Sequence, residues 1–361
     1  MSGQNLLPQL STVVAVCLLL IGGCGGGGGA AEGVSTGMTE FAWLIPAGEV
    51  VDGGPGKDGI PAIDEPKFDN ADTIEKLNAS EFVVVLRDGN TVKAYPHDIL
   101  DWHEVVNDSP ANNPFTVSYC PLTGSAVAWR DSNGSSRSFG GSGLLYNSNL
   151  ILYDRATDSR WSQMLQKSVW GARADEVTNN VQVIEMLFGT LLEMYPSAQV
   201  MTRDTGWERN YGIYPYGSYR TEEDLLFPVS QVDGRLHPKT RVIGIRSGAG
   251  SKVYQIDSFG PTTMTMNDQF GGQSIVVIGN STRNFAAIYS RVLVDGTVLT
   301  FSPIQNDLPK IMSDDEGNVW DVFGSAVSGP RAGQQLEMTS SVTSYWFAWA
   351  AFFPNAEIYF N

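Results

Sequence analysis

The chain is predicted to be mainly β with minor α, organised as two tandem homologous β-rich repeats that each end in a short helix. Three observations carry this. Short runs rich in β-branched and aromatic residues alternate with Gly, Asp, Asn and Ser turns. EFVVVLRDGNTVKAYPHDI has an echo in TRVIGIRSGAGSKVYQIDS. Both copies close on a compact apolar run, IEMLFGTLLEMYP and SVTSYWFAWAAFFP, which ends in a proline that cannot continue a helix.

Taken in order, residues 50–72 (VVDGGPGKDGIPAIDEPKFDNAD) hold too much Gly, Pro and Asp for a regular element and read as an ordered loop. A short helix is expected to follow at Asp72–Leu77, with Asp72 as N-cap. Asp52, Asp58, Asp64, Asp69 and Asp72 lack the DxDxDG spacing of a calcium loop and read as solvated turn residues. EFVVVLRDGNTVKAYP then reads as a hairpin about Asp88-Gly89-Asn90. FTVSYC, SAVAWRD, SSRSF and NLILYD supply further strands, and residues 184–196 a helix that stops before Pro196.

The echo keeps a nearly constant spacing. Gly89 and Gly248, Lys93 and Lys252, Tyr95 and Tyr254, and Trp161 and Trp320 are each 159 apart, Asn107-Asp108 recurs after 160, and Pro196 after 158. The repeats are therefore bounded as 78–202 and 237–361, with a Tyr-rich linker at 203–236 and a loop with a short helix at 41–77. The pairing gives an internal control: Cys120 corresponds to Gly279 and His103 to Thr262, so chemistry is expected in the first copy and scaffold in the second.

The first residues set the compartment. Leu10 to Ile21 is nearly all apolar, a signal-peptide core too short for a mature span. Ile21-Gly22-Gly23-Cys24 resembles a lipobox, so residues 1–23 are expected to be removed and Cys24 lipidated, with the Gly-rich stretch 24–40 as tether. The expected place is the cell envelope, lipid-anchored and facing the periplasm or exterior. A net charge of −16 argues against nucleic acid, which needs a positive face, so the expected partners are the membrane through Cys24 and a small polar ligand. With Cys17 and Cys24 accounted for, Cys120 has no disulfide partner.

Two constellations carry candidate chemistry. His103 in DWHEVVND and Cys120 at the end of the next strand are expected to meet, either as an activated thiol or as an S plus N pair for copper or zinc. A metal would need further ligands from Met164, Glu104, His97 or His237. The alternative is a buried, inert cysteine and a histidine bonded to backbone. In FGGSGLLYNSNLILYDRATDSRWSQ, glycines allow close backbone approach, and Tyr146, Asn147, Asn149, Asp154, Arg155 and Trp161 form a candidate ligand surface, with Arg155 as an anion fork. The competing reading is a buried Asp/Arg network. Ser142 is not in a G-x-S-x-G elbow, which disfavours a serine hydrolase.

DGGPGKDGIPAIDEPKF, AYPHDILDWHEVVND, YCPLTGSAVAW, FGGSGLLYNSNLILYDRATDSRWSQ and RDTGWERNYGIYPYGSY together resemble an exported bacterial and archaeal family, domain of unknown function 3179. The resemblance puts weight on His103, Cys120, Tyr146, Asn147, Asp154, Arg155 and Trp161 and implies no activity. Many family members read YCPLCG where Thr123 stands here, which argues against a CxxC redox pair. The first expectation is a ligand- or metal-binding module; a thiol-dependent enzyme using Cys120 with His103 is second, and a structural envelope protein third.

Overall fold

Val83, Val84, Val85 and Leu86, with Val92 and Tyr95, favour extended backbone in Phe82–Asp88 and Thr91–Pro96, which form the expected hairpin with Asp88 opposite Thr91 and Gly89 at φ 57° in the turn. The computed structural model describes residues 41–109, 113–130, 138–248 and 250–360. Residues 1–40, with the expected signal, Cys24 and the tether, lie outside these, as does most of SSRSF.

Three sheets use the first half of the chain. The hairpin sheet runs in the order Ile184–Leu187, Phe82–Asp88, Thr91–Pro96, Gln199–Met201, Phe68–Asn70. A second sheet orders Asn179–Val181, Ser125–Arg130, Phe115–Cys120, Val105–Asp108, and a third orders Val50–Asp52, Phe139–Tyr146, Asn149–Asp154, Arg160–Ser162, Lys167–Trp170. The second half follows the same plan. Its hairpin sheet orders Ser341–Tyr345, Arg241–Ser247, Gly250–Gln255, Glu357–Ile358; beside it stand Met264–Phe270, Gln273–Asn280, Phe285–Ser290, and then Phe301–Pro303, Lys310–Asp314, Val319–Asp321, Ala326–Ser328.

Side-chain contacts repeat with the strands. Asp108 accepts from Lys93 at 2.5 Å and Tyr95 at 2.6 Å; Asp268 accepts from Lys252 at 2.6 Å and Tyr254 at 2.7 Å. Asn107 clamps both backbone groups of Phe139, and Asn267 those of Phe301. The Trp161 indole donates to Asp154 at 2.9 Å, and that of Trp320 to Asp314 at 2.8 Å.

The halves are not separable domains. One face of the first hairpin (Val83, Val85, Ala94) packs with Ile278, Ile311 and Trp320 of the second half, while its other face (Val84, Leu86, Tyr95) packs on Val106 and Val117 of its own half. The second hairpin mirrors this: Val242 and Val253 join Trp129, Leu152 and Trp161, and Ile243, Ile245 and Tyr254 stay with Ile275 and Val277. Each hairpin is therefore buried on both faces, which explains its nearly continuous apolar run, and Phe41–Asn361 is one compact unit.

Three α-helices are present among the described residues. Within the 184–196 run, Ile184–Leu187 extends to pair with Phe82–Val85 and only Phe188–Met194 (α2) is helical, followed by Pro196; Trp346–Phe352 (α3) likewise follows strand Ser341–Tyr345. The expected helix at Asp72–Leu77 does not form: the Thr73 and Ile74 amides both donate to the Asn70 carbonyl in a turn. His97–His103 (α1) is a helix that the sequence patterns do not announce, held by Ile99 and Leu100 in the core. The Tyr-rich segment is no free linker. Tyr211 and Tyr219 are buried, and the Tyr219 hydroxyl donates to the Leu122 carbonyl at 3.0 Å.

Candidate functional site

The register that pairs Val105 with Ser118 carries His103 and Cys120 to the same end of a ladder, yet their side chains are engaged elsewhere. His103 lies with Nδ1 2.8 Å from the Pro61 carbonyl, so Nδ1 carries the proton and donates; Nε2, 2.7 Å from the Tyr211 hydroxyl, accepts. Burial lowers its pKa, which keeps the ring neutral. Cys120 is wholly buried, with Sγ 3.9 Å from the Ser148 carbonyl. Burial, and then the neighbouring Glu104 carboxyl, push its thiol up to about 11, the opposite of an activated thiolate.

This geometry also corrects the expected metal pair. Both His103 nitrogens are already bonded, and among the described residues no group of three or more His, Cys, Asp or Glu side chains could hold a metal ion. The other candidate ligands are scattered. His97 stacks against Phe82 and lies 3.1 Å from Glu185, Met164 sits in the apolar core, and His237 accepts from the Lys239 amide at 3.2 Å.

The second constellation turns inward. Asn149 donates to Thr123 at 2.9 Å and to Gln163 at 2.7 Å, and accepts from the Met164 amide at 3.2 Å. Asn147, in the hairpin turn at φ 50°, accepts from the Ser230 amide and donates to the Ala351 carbonyl. Asp154 receives Thr157 and the Trp161 indole. Tyr146 stacks edge-on against Phe352, and Arg155 pairs with Asp64 at 2.8 Å. A satisfied network of this kind specifies packing, and because Trp161–Asp154 has its twin in Trp320–Asp314, the pair belongs to the scaffold. None of the six residues expected to bind ligand faces the nearby cavity.

That cavity, of about 290 Å³, lies between the Gly53–Ile60 loop, the FGGSG strand with its hairpin partner, Leu122, and the segment around Tyr216 and Phe227. Its glycines differ in purpose. A Cβ on Gly143, at φ 76°, would fall 2.5 Å from the Gly56 backbone, whereas one on Gly141 would meet nothing nearer than the Ile60 carbonyl at 3.6 Å. Gly143 thus brings the loop in, and Gly141 leaves space. Ser142 is occupied, donating to the Ile151 carbonyl at 2.5 Å and accepting from the Leu144 amide at 3.1 Å.

Into this apolar space points one carboxyl. Glu104 caps α1 in a left-handed conformation, φ 58°, where Gly or Asn is usual and a larger residue costs about 1–2 kcal/mol. Its amide donates to Leu100 O and its carbonyl accepts from the Tyr119 amide, each at 2.8 Å, which fixes the turn. The side chain is 8% exposed, lines the cavity, and has no hydrogen-bond or ion-pair partner among the described residues. Burial, with the Asp101 carboxylate adding to it, pushes this carboxyl up to about 8, so it is protonated at neutral pH. Asp101 itself is raised to about 7 by burial, opposed by Arg220, which grips it at 2.7 and 2.8 Å. Tyr216 also lines the space, and burial followed by Glu104 holds its phenol well above the ordinary range.

Sequence reasoning admitted Glu104 only as a spare metal ligand and Tyr216 only as part of a linker. The usable signal was collective: each of the five family-like segments supplies a wall of this one cavity, through Gly53 to Ile60, Glu104, Leu122, Gly141 to Leu145 and Tyr216. Among the described residues no helix is long and apolar enough to cross a membrane. No curated protein and no solved structure matches the chain. The model of the family described as "Protein of unknown function (DUF3179)" matches residues 57–356, and the chain belongs to that family.

Proposed function

We propose that the protein is a lipid-anchored extracytoplasmic binding protein that holds a small, largely apolar molecule in the cavity beside Glu104. The observation that carries this reading is the meeting of five separated segments around a preformed, mostly apolar space with one inward carboxyl. At about 290 Å³ the space is about twice the ~150 Å³ engineered cavity that takes up benzene, which sets the scale of the occupant at one or two fused rings or a short chain. A ligand of this character replaces the polar one expected from the Tyr146–Trp161 segment, whose side chains bond one another. The thiol-enzyme alternative is disfavoured, because Cys120 is buried and its thiol is raised rather than lowered.

Saturation-transfer NMR with tetralin on the natively purified chain tests binding. Signal is expected in the wild type and not in Gly141→Leu, which fills the space from a position with room for a Cβ; equal signal in both would overturn the site. The anchor rests on the N-terminal pattern. Incorporation of radiolabelled palmitate, lost in Cys24→Ser, is the expected outcome, and an unlabelled wild type would remove the anchor.

A further inference from the structure

If the cavity binds an apolar molecule, its polar end decides which one. Only two side chains on its wall offer polar atoms without a hydrogen-bond partner among the described residues: the Glu104 carboxyl and the Tyr216 hydroxyl. Ser142 is turned back onto its own hairpin. Both stand on the wall of the same cavity. We infer that the cavity receives a neutral apolar molecule by a single carbonyl oxygen, held between the Glu104 carboxyl and the Tyr216 phenol acting as donors. This rests on the binding reading above.

The chemistry follows from the surroundings. A carboxyl and a phenol that both carry their protons each present one O–H, and a carbonyl oxygen has two lone pairs to accept them. Among the described residues no cation pairs with Glu104: Arg220 is committed to Asp101, and Asp101 acts on Glu104 as a like charge. An ammonium ligand would require Glu104 to ionise and both charges to lose water, a cost that buried ion pairs often fail to recover. A neutral donor meeting a neutral acceptor carries no such penalty, and leaving the acceptor off strands a donor already removed from water. The left-handed backbone at Glu104 agrees with this, because strain at a non-glycine residue persists where the side chain is needed.

The second half fills the matching corner with different residues. Glu104 is matched by Thr263, and Gly143 by Gln305, whose amide binds both backbone groups of Thr263 at 3.1 and 2.6 Å. Where the first half keeps a glycine and an acid without a partner among the described residues, the second ties a glutamine side chain to the backbone.

The test compares tetralin, 1-tetralone and 1-aminotetralin on the wild-type chain and on Glu104→Gln, Glu104→Ala and Tyr216→Phe, with near-UV circular dichroism to check folding. The expected result is that 1-tetralone binds the wild type about tenfold more tightly than tetralin, with its carbonyl stretch moved to lower frequency. Glu104→Ala and Tyr216→Phe each lose most of that preference while keeping tetralin. Glu104→Gln, which retains an N–H donor, keeps part of it. Raising the pH through 8 weakens 1-tetralone binding in the wild type as the carboxyl ionises, and not in Glu104→Gln. Equal affinity for tetralin and 1-tetralone, or tightest binding by 1-aminotetralin with loss in Glu104→Ala, would overturn the carbonyl assignment while leaving the binding site intact. No binding of any of the three would overturn both.

Discussion

The first half places Glu104 beside a strand of glycines and leaves a cavity; at the matching corner the second half places Thr263, with both backbone groups hydrogen-bonded to Gln305. Cys120 is matched by Gly279, and there the reason is steric: a Cβ on Gly279 would fall 2.6 Å from the Phe259 ring, while the counterpart of Phe259 in the first half is the smaller Leu100. Around these differences the skeleton is held constant, down to the Lys-Tyr-Asp, Asn-clamp and Trp-Asp contacts. Residues that recur therefore maintain the frame, and residues that differ mark where one half has been given space.

A second asymmetry sits between the halves. Arg87 reaches across to Asp321 at 2.6 Å and to Ser325 at 2.9 Å, over the ring of Phe323. Its counterpart Arg246 reaches across to Gln166, the match of Ser325, at 3.3 Å, but the match of Asp321 is Ser162. Arg246 Nε is buried without a hydrogen-bond partner among the described residues, and its pKa is lowered by burial. One crossing point is a salt bridge and the other has no carboxylate.

The most damaging way to break the comparison is to separate its members. Because each hairpin completes the other half's core, and each large apolar side chain so buried contributes about 1.5–3 kcal/mol, residues 41–236 expressed alone are expected to show no cooperative thermal transition; a sharp transition would refute the interlocked core. Next, Asp321→Ser gives the first crossing the character of the second and should cost about 1.5–3 kcal/mol in urea unfolding, since it removes the carboxylate that Arg87 and the Phe323 and Ser325 amides share. The reverse change, Ser162→Asp, should raise the melting temperature by supplying Arg246 with a carboxylate.

Glu104 sharpens the contrast through pH. Its folded pKa of about 8 lies above the ordinary 4.5, so the folded chain holds this proton more tightly than the unfolded chain. Stability from this group is full below 4.5 and is lost as pH rises toward 8, by about 1.4 kcal/mol per pH unit, or about 3 kcal/mol between pH 5 and 7. Glu104→Gln should remove that component of the slope. Unfolding series at pH 5 and 7 on both chains measure it, and parallel slopes would count against a protonated, buried Glu104. The smallest effect is at Cys120, where native alkylation at neutral pH should be far slower than in urea, and Cys120→Ser should cost about 1–3 kcal/mol by burying a hydroxyl. Fast native labelling would contradict its burial.

Much of the frame could be read from the sequence because its causes are local. The Asp88-Gly89-Asn90 turn, the alternating apolar runs and the proline-terminated helices each depend on neighbours a few residues away. The constant spacing of Lys93, Tyr95 and Trp161 from their partners needed no folding to be seen. Where local signals competed, the reading failed. Asp72–Leu77 offered a cap but no apolar stripe to bury, and Ile184–Leu187 reads as helix until the edge of Phe82–Val85 claims it.

The candidate site was legible as a set of segments and not as a set of residues. His103 and Cys120 drew attention by their chemistry, whereas Glu104, between His103 and the strand, owes its importance to a left-handed turn and to walls contributed from Gly53 to Phe227. Composition and motif order by themselves determined the β-rich class, the doubled spacing and the family, since these depend on residue identity and order. Only the tertiary structure decided that the halves exchange cores, that Cys120 is buried and that Glu104 faces an open space, because burial and the resulting proton affinity are set by groups far apart in the chain.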